Sequence, residues 1–126
     1  MSLRTPLGRA KGLGSAKEGV GHWLAERASA AALLPLLIWF VIGLIANAGA
    51  DYEAARAWIG HPVNAVLLVL LLVTMFQHAQ LGMQVIYEDY IHNDGLKLVS
   101  IYLTKFVAYL LAAAGSFAVL KIAFGG

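Results

Sequence analysis

The spacing of the charges constrains this chain more than any other feature. Residues 28–50, a run of 23, contain no Asp, Glu, Lys or Arg. A second run, 57–87, leaves 31 residues uncharged, and a third, 98–120, has 23 residues with Lys105 as its one charge. An α-helix rises about 1.5 Å per residue and bilayer hydrocarbon is about 30 Å thick, so about 20 apolar residues make one crossing. Each run is long enough. The expected architecture is an all-α membrane protein with three transmembrane helices, near 28–48, 62–85 and 98–120. They form one anchor domain over 28–126, behind a basic segment of residues 1–27.

Composition closes off the alternatives. Of 126 residues, 60% are apolar and 13% charged. A soluble domain of this size leaves too much surface in water for that balance, and a disordered chain needs the reverse. Nine basic against seven acidic residues are too few for a nucleic-acid binder. With no cysteine, the chain forms no disulfide, holds no Cys-ligated zinc or iron–sulfur cluster and carries no thiol nucleophile.

Local signals mark the edges. Pro62 suits the first turn of a helix, where its missing N–H has no partner to lose. Asn93-Asp94-Gly95 is a turn signal with an N-cap for the third helix. Pro35, inside the first span, is expected to bend it. Tyr52 and Trp58 flank the first loop, and Tyr87 and Tyr90 the second, as interfacial aromatics do. In residues 1–27, Ser15-Ala16-Lys17-Glu18 reads as a capping box, followed by an apolar stripe of Val20, Trp23 and Leu24. A short helix on the membrane surface and a flexible basic tail both fit this segment. No cleavable signal peptide is expected, because the first apolar stretch starts late and is long enough to span.

Basic residues set the orientation. Arg4, Arg9, Lys11, Lys17 and Arg27 precede the first span, and Lys97 and Lys105 lie on the same side, against Arg56 and Lys121 on the other. The positive-inside rule then places the N-terminus in the cytoplasm and the C-terminus in the periplasm.

In so apolar a chain, the polar residues within the spans are the informative ones. His78 lies 10 residues before Glu88, about 15 Å below that charged end. Its uses at that depth are haem-iron ligation, proton relay or an interhelical hydrogen bond. Gly82, one turn on, makes room either for a flat macrocycle or for a close helix. Asp89 comes 11 positions after His78, about 20° past three full turns, so a continuous helix puts both on one face. Tyr90 sits beside it with a phenol able to donate a hydrogen bond. His22, His61 and His92 lie before a span or at helix ends. A six-coordinate haem therefore needs its second axial ligand from another subunit.

The segment His78-Ala79-Gln80-Leu81-Gly82-Met83-Gln84-Val85-Ile86-Tyr87-Glu88-Asp89-Tyr90 resembles the H-x-x-x-G-M-x-x-x-x-x-D-Y signature of the smaller hydrophobic membrane anchor of succinate dehydrogenase. The stretch Gly14-Ser15-Ala16-Lys17-Glu18-Gly19 through His22-Trp23 to Arg27-Ala28-Ser29-Ala30 resembles the start of that anchor in alphaproteobacteria and mitochondria. The likeness runs from about Gly14 to the C-terminus.

This resemblance implies a membrane anchor of succinate:ubiquinone oxidoreductase, respiratory complex II, with no catalytic activity alone. It implies that His78 is an axial ligand of a haem b shared with the cytochrome b anchor subunit, with Gly82 packing near it. It implies that Tyr90 hydrogen-bonds ubiquinone and that Asp89 belongs to the same pocket. Arg27 matches an arginine near the haem propionates or the quinone region; an interfacial anchor to lipid phosphate is its alternative. Asp89 likewise has the alternative of a solvated helix-end charge. The implied partners are the cytochrome b anchor, the iron–sulfur subunit and the flavoprotein subunit, in a bacterial inner (cytoplasmic) membrane rather than a mitochondrial one. A quinol:fumarate reductase anchor, and a small membrane scaffold or assembly protein without a redox centre, are the competing readings. The third helix, with Ala108, Ala112 and Ser116 in a row and Gly115 beside it, is expected to pack rather than carry chemistry.

Overall fold

The computed structural model describes residues 13–125, with side-chain surroundings described from Val20 onward except at His22. The described residues form four helices and no strand: α1 Leu13–Ala46, α2 Tyr52–Gly60, α3 Pro62–Tyr90 and α4 Asp94–Ala123. Three contain segments long and apolar enough to cross a membrane, Trp23–Ala46, Pro62–Tyr90 and Asp94–Ala123. The chain is an all-α, multi-pass membrane protein.

Each long helix outruns its expected bounds at one end or both, although α1 stops at Ala46, two residues short of 48. α3 continues five residues past 85 to Tyr90, and α4 starts at Asp94 rather than 98. α1 runs back through Arg27 to Leu13 with no break at residue 27 or 28. Charge gaps locate the apolar part of a helix, but a helix satisfies its own backbone and continues into polar surroundings until a cap stops it. At α4 that cap is Asn93, whose side chain accepts from Leu96 N at 2.9 Å. Pro35 lies within α1, and the helix is continuous across it. Arg4, Arg9 and Lys11 lie outside the described residues, as do the side chains of the Ser15–Glu18 capping box and of Lys17.

α2 was not expected. The segment read as an interfacial loop is a nine-residue helix, capped by Asp51, whose carboxylate accepts from Ala54 N at 2.8 Å. His61 ends α2 and caps α3, its Nδ1 accepting from Val63 N at 3.3 Å, with Pro62 in the first turn of α3. Trp58 of α2 stacks on Trp39 of α1, with centroids 5.5 Å apart and planes at 19°. Gly43 of α1 makes this possible: a Cβ there would stand 2.5 Å from Trp58 Cζ2. Asn64 fastens the other side, donating to Trp58 O at 2.9 Å.

α3 is central. α1 lies antiparallel on one side of it through the buried Leu33, Leu36 and Leu71, with Phe40, Leu67 and Met75 packed around them. On α1, the residues facing inward are Ser29, Leu33, Leu36, Phe40 and Gly43, an alternation of four- and three-residue steps that keeps one seam on a neighbouring helix. α4 packs on another side of α3 through the buried Ala108 and Ala112. A Cβ at Gly115 would stand 3.0 Å from Leu72 Cδ1, so the small-residue row does allow close approach. Tyr87 ties the same pair, its hydroxyl 2.9 Å from Thr104 Oγ1. Among the described residues, α1 and α4 come nowhere within 8 Å of each other, Cα to Cα.

Candidate functional site

His78 sits 12 residues from the Tyr90 end of the 29-residue α3, about 18 Å along its axis. It is half-buried against α1. Its Nδ1 lies 2.9 Å from the Oγ of Ser29, which is 8% exposed. The same Oγ donates to the Glu26 carbonyl at 2.9 Å, the back-bonding geometry usual for a helical serine. Nε2 has no protein partner among the described residues. Sequence reasoning missed Ser29, because its partner is 49 positions away. The signal available was its place at the head of the four–three stripe on α1.

Gly82 shares the His78 face, and α3 is continuous through both. A Cβ added at Gly82 would meet nothing within 4 Å, unlike one at Gly43 or Gly115. Among the described residues, no helix of this chain packs against Gly82. The space beside it is open.

The Ser29–His78 pairing sets the level of Arg27. Two residues before Ser29 on α1, the arginine lies about 3 Å further along the axis, towards the Tyr90 end. It is therefore the fifteenth residue of α1 rather than the opening residue of a helix, and it falls within the Trp23–Ala46 span. It is exposed, with its guanidinium 5.4 Å from the ring centroid of Trp23, a cation–π contact one helical turn apart.

Asp89 and Tyr90 end α3, both exposed, Tyr90 to 77%. The structure separates the two tyrosines near this end: Tyr87 is engaged with Thr104, whereas Tyr90 projects from the bundle. Asp89 and Tyr90 thus stand some 16–18 Å along α3 from His78, too far to touch it directly. Among the described residues, no three His, Cys, Asp or Glu side chains gather as a metal site. His61 is occupied as a helix cap at the far end, and His92 is exposed beyond α3.

A cavity lies elsewhere. About 600 Å³ of space lies among Phe40, Gly43, Trp58, Leu71, Met75 and Ile122, towards the Asp51 end. Its polar side-chain groups are the Trp58 indole and Asn47, and Asn47 donates to Gly43 O at 2.8 Å. It offers apolar volume without convergent chemistry.

Three long apolar helices, with an imidazole well inside the second span and a carboxylate and a phenol at the end of the same helix, describe a helical membrane subunit. The sequence matches the succinate dehydrogenase/fumarate reductase transmembrane subunit family over residues 1–112, and the chain belongs to that family. It is 34% identical to the succinate dehydrogenase hydrophobic membrane anchor subunit of Rickettsia bellii, over 89% of this chain and 90% of the relative. It is 32% identical to the subunit of that name from Paracoccus denitrificans, over 90% and 88%. A succinate dehydrogenase membrane anchor subunit from Reclinomonas americana is 26% identical over 73% and 79%. No solved structure matches. The chain is a membrane anchor of the succinate dehydrogenase type.

Proposed function

We propose that this chain is the smaller anchor of a succinate:ubiquinone oxidoreductase, giving one axial ligand, His78, to a haem b and lining part of the ubiquinone-reduction site with Tyr90 and Asp89. The observation that carries this reading is the half-buried His78 beside the open space at Gly82. An imidazole with a free nitrogen, next to a helix face without a side chain, suits a flat group that takes one ligand from this chain. The second ligand comes from the cytochrome b anchor. Bound there, the haem supplies a one-electron centre within the membrane. Arg27, at nearly the depth of His78, offers a cation to propionates.

The quinone chemistry belongs to the far end of α3. Reduction to the quinol adds two electrons and two protons, and negative charge builds on the quinone oxygens as electrons arrive. The Tyr90 hydroxyl donates a hydrogen bond to one of these oxygens, where such a donor is worth most. Asp89, exposed beside it, orients the pocket or passes protons from water. Electrons arrive from an iron–sulfur subunit and its flavoprotein partner, since this chain has no cysteine to hold a cluster. Seven of the nine basic residues fall on the Tyr90 side, so this end faces the cytoplasm and the C-terminus faces the periplasm of a bacterial inner membrane.

The test uses the assembled complex. Tyr90→Phe is expected to impair ubiquinone reduction by succinate while succinate oxidation by an artificial acceptor stays near normal. Equal loss of both activities would refute the quinone role. His78→Ala is expected to remove or alter the b-type absorption spectrum, and an unchanged spectrum would refute the ligand assignment. A reporter active in the cytoplasm when fused to the C-terminus would overturn the orientation.

A further inference from the structure

The contact between Ser29 and His78 has a defined direction. A serine hydroxyl has one proton to give. The Glu26 carbonyl can only accept, and Ser29 Oγ lies 2.9 Å from it. The same Oγ lies 2.9 Å from His78 Nδ1. Both contacts are hydrogen bonds only if the hydroxyl donates to Glu26 O and accepts from an Nδ1–H of His78. A neutral imidazole protonated at Nδ1 has its lone pair at Nε2. The burial of Ser29, 8% exposed, keeps water from substituting for the hydroxyl on the His78 ring.

We infer that Ser29 is a positioning residue for His78: it fixes the ring as the Nδ1–H tautomer, turns Nε2 outward for the iron, and tunes the electron density on that nitrogen. The inference rests on His78 being the axial ligand proposed above. A ligand histidine that donates its other N–H to an oxygen is oriented by that bond and becomes a stronger base. A more basic imidazole favours ferric over ferrous iron, so the Ser29 hydroxyl holds the haem potential down. The chain Glu26 O, Ser29 Oγ and His78 Nδ1 makes α1, which carries no ligand itself, part of the electronic control of the site.

The experiment compares Ser29→Thr with Ser29→Val in the complete complex; the two side chains have one shape and differ in the hydroxyl. Ser29→Val is expected to retain haem and shift its ferric-over-ferrous preference by about 2- to 10-fold, the range of one hydrogen bond. At 59 mV per tenfold for one electron, that raises the midpoint potential by about 20–60 mV. Ser29→Thr is expected to keep the wild-type potential and the wild-type low-spin spectrum. Equal potentials and spectra in the two variants would overturn the inference, and so would a fall in potential in Ser29→Val. His78→Ala serves as the reference: if it leaves the haem spectrum unchanged, the ligand assignment fails. If it abolishes the spectrum while the Thr and Val variants coincide, only the role of Ser29 fails.

Discussion

Gly82→Leu separates what this chain needs in order to fold from what its partners need in order to bind. A Cβ at Gly82 meets nothing within 4 Å, so the chain has no contact there to lose. Replacing a mid-helix glycine with leucine favours the helix by about 1 kcal/mol. The amount of the chain in membranes, and its resistance to extraction or proteolysis, is therefore expected to stay level or rise. In the assembled complex the result should reverse. A leucine side chain driven into space that another group fills costs about 1–3 kcal/mol, equivalent to roughly a 5- to 150-fold loss of affinity. Haem content per complex, read from the pyridine haemochrome spectrum, is the assay. Gly115→Leu is the control. Its Cβ would stand 3.0 Å and 3.3 Å from the two Leu72 methyls, so there the chain itself should be destabilised. A Gly82→Leu complex with full haem content and an unaltered spectrum would refute the reasoning, and the open face beside His78 would then be a lipid surface.

Other perturbations test the frame around the site. Tyr87→Phe removes the bond to Thr104 Oγ1 and is expected to cost about 0.6 kcal/mol, at most about 1.7, as interhelical bonds in membranes do. Thermal inactivation of the complex should register the loss while ubiquinone reduction persists, in contrast to Tyr90→Phe. Gly43→Ala places a methyl 2.5 Å from Trp58 Cζ2 and is expected to break the Trp39–Trp58 stack, worth about 0.5–1.5 kcal/mol. Near-ultraviolet circular dichroism should lose the coupled-indole signal, and adding Trp58→Leu to Gly43→Ala should cost less than the two separate effects together. Asp51→Ala is expected to weaken α2 by about 1 kcal/mol, the loss of an N-cap. Faster amide exchange confined to residues 52–60 would register it.

The three spans were legible because burying a charge in hydrocarbon is costly, so the gaps between charges trace the bilayer. Helix ends were not, because nothing in an apolar run states where a cap will form. α2 was overlooked although its signals were present: Asp51 as cap, Glu53 in the first turn and Pro62 just beyond. Tyr52 and Trp58 read as belt aromatics, a reading that fits a loop and a short helix equally well. Of the site, the periodicity of α3 already placed His78, Gly82 and Asp89 on one face. The partnership of Ser29 with His78 depends on how α1 docks against α3, which no local pattern encodes. The level of Arg27 was hidden for the same reason: sequence put it at a helix entrance, and the docking of α1 puts it beside the depth of His78.

The separation of α1 from α4 has a consequence for biogenesis. Among the described residues, α1 and α4 each pack on α3 and on the short α2 but not on each other, so neither shields the other's outer face. Arg27 is exposed, and His78 is only half-buried against α1. An orphan copy would leave those groups against lipid, the state that membrane quality control removes. The abundance of this chain should therefore follow that of its companion subunits, whatever the rate of its own synthesis.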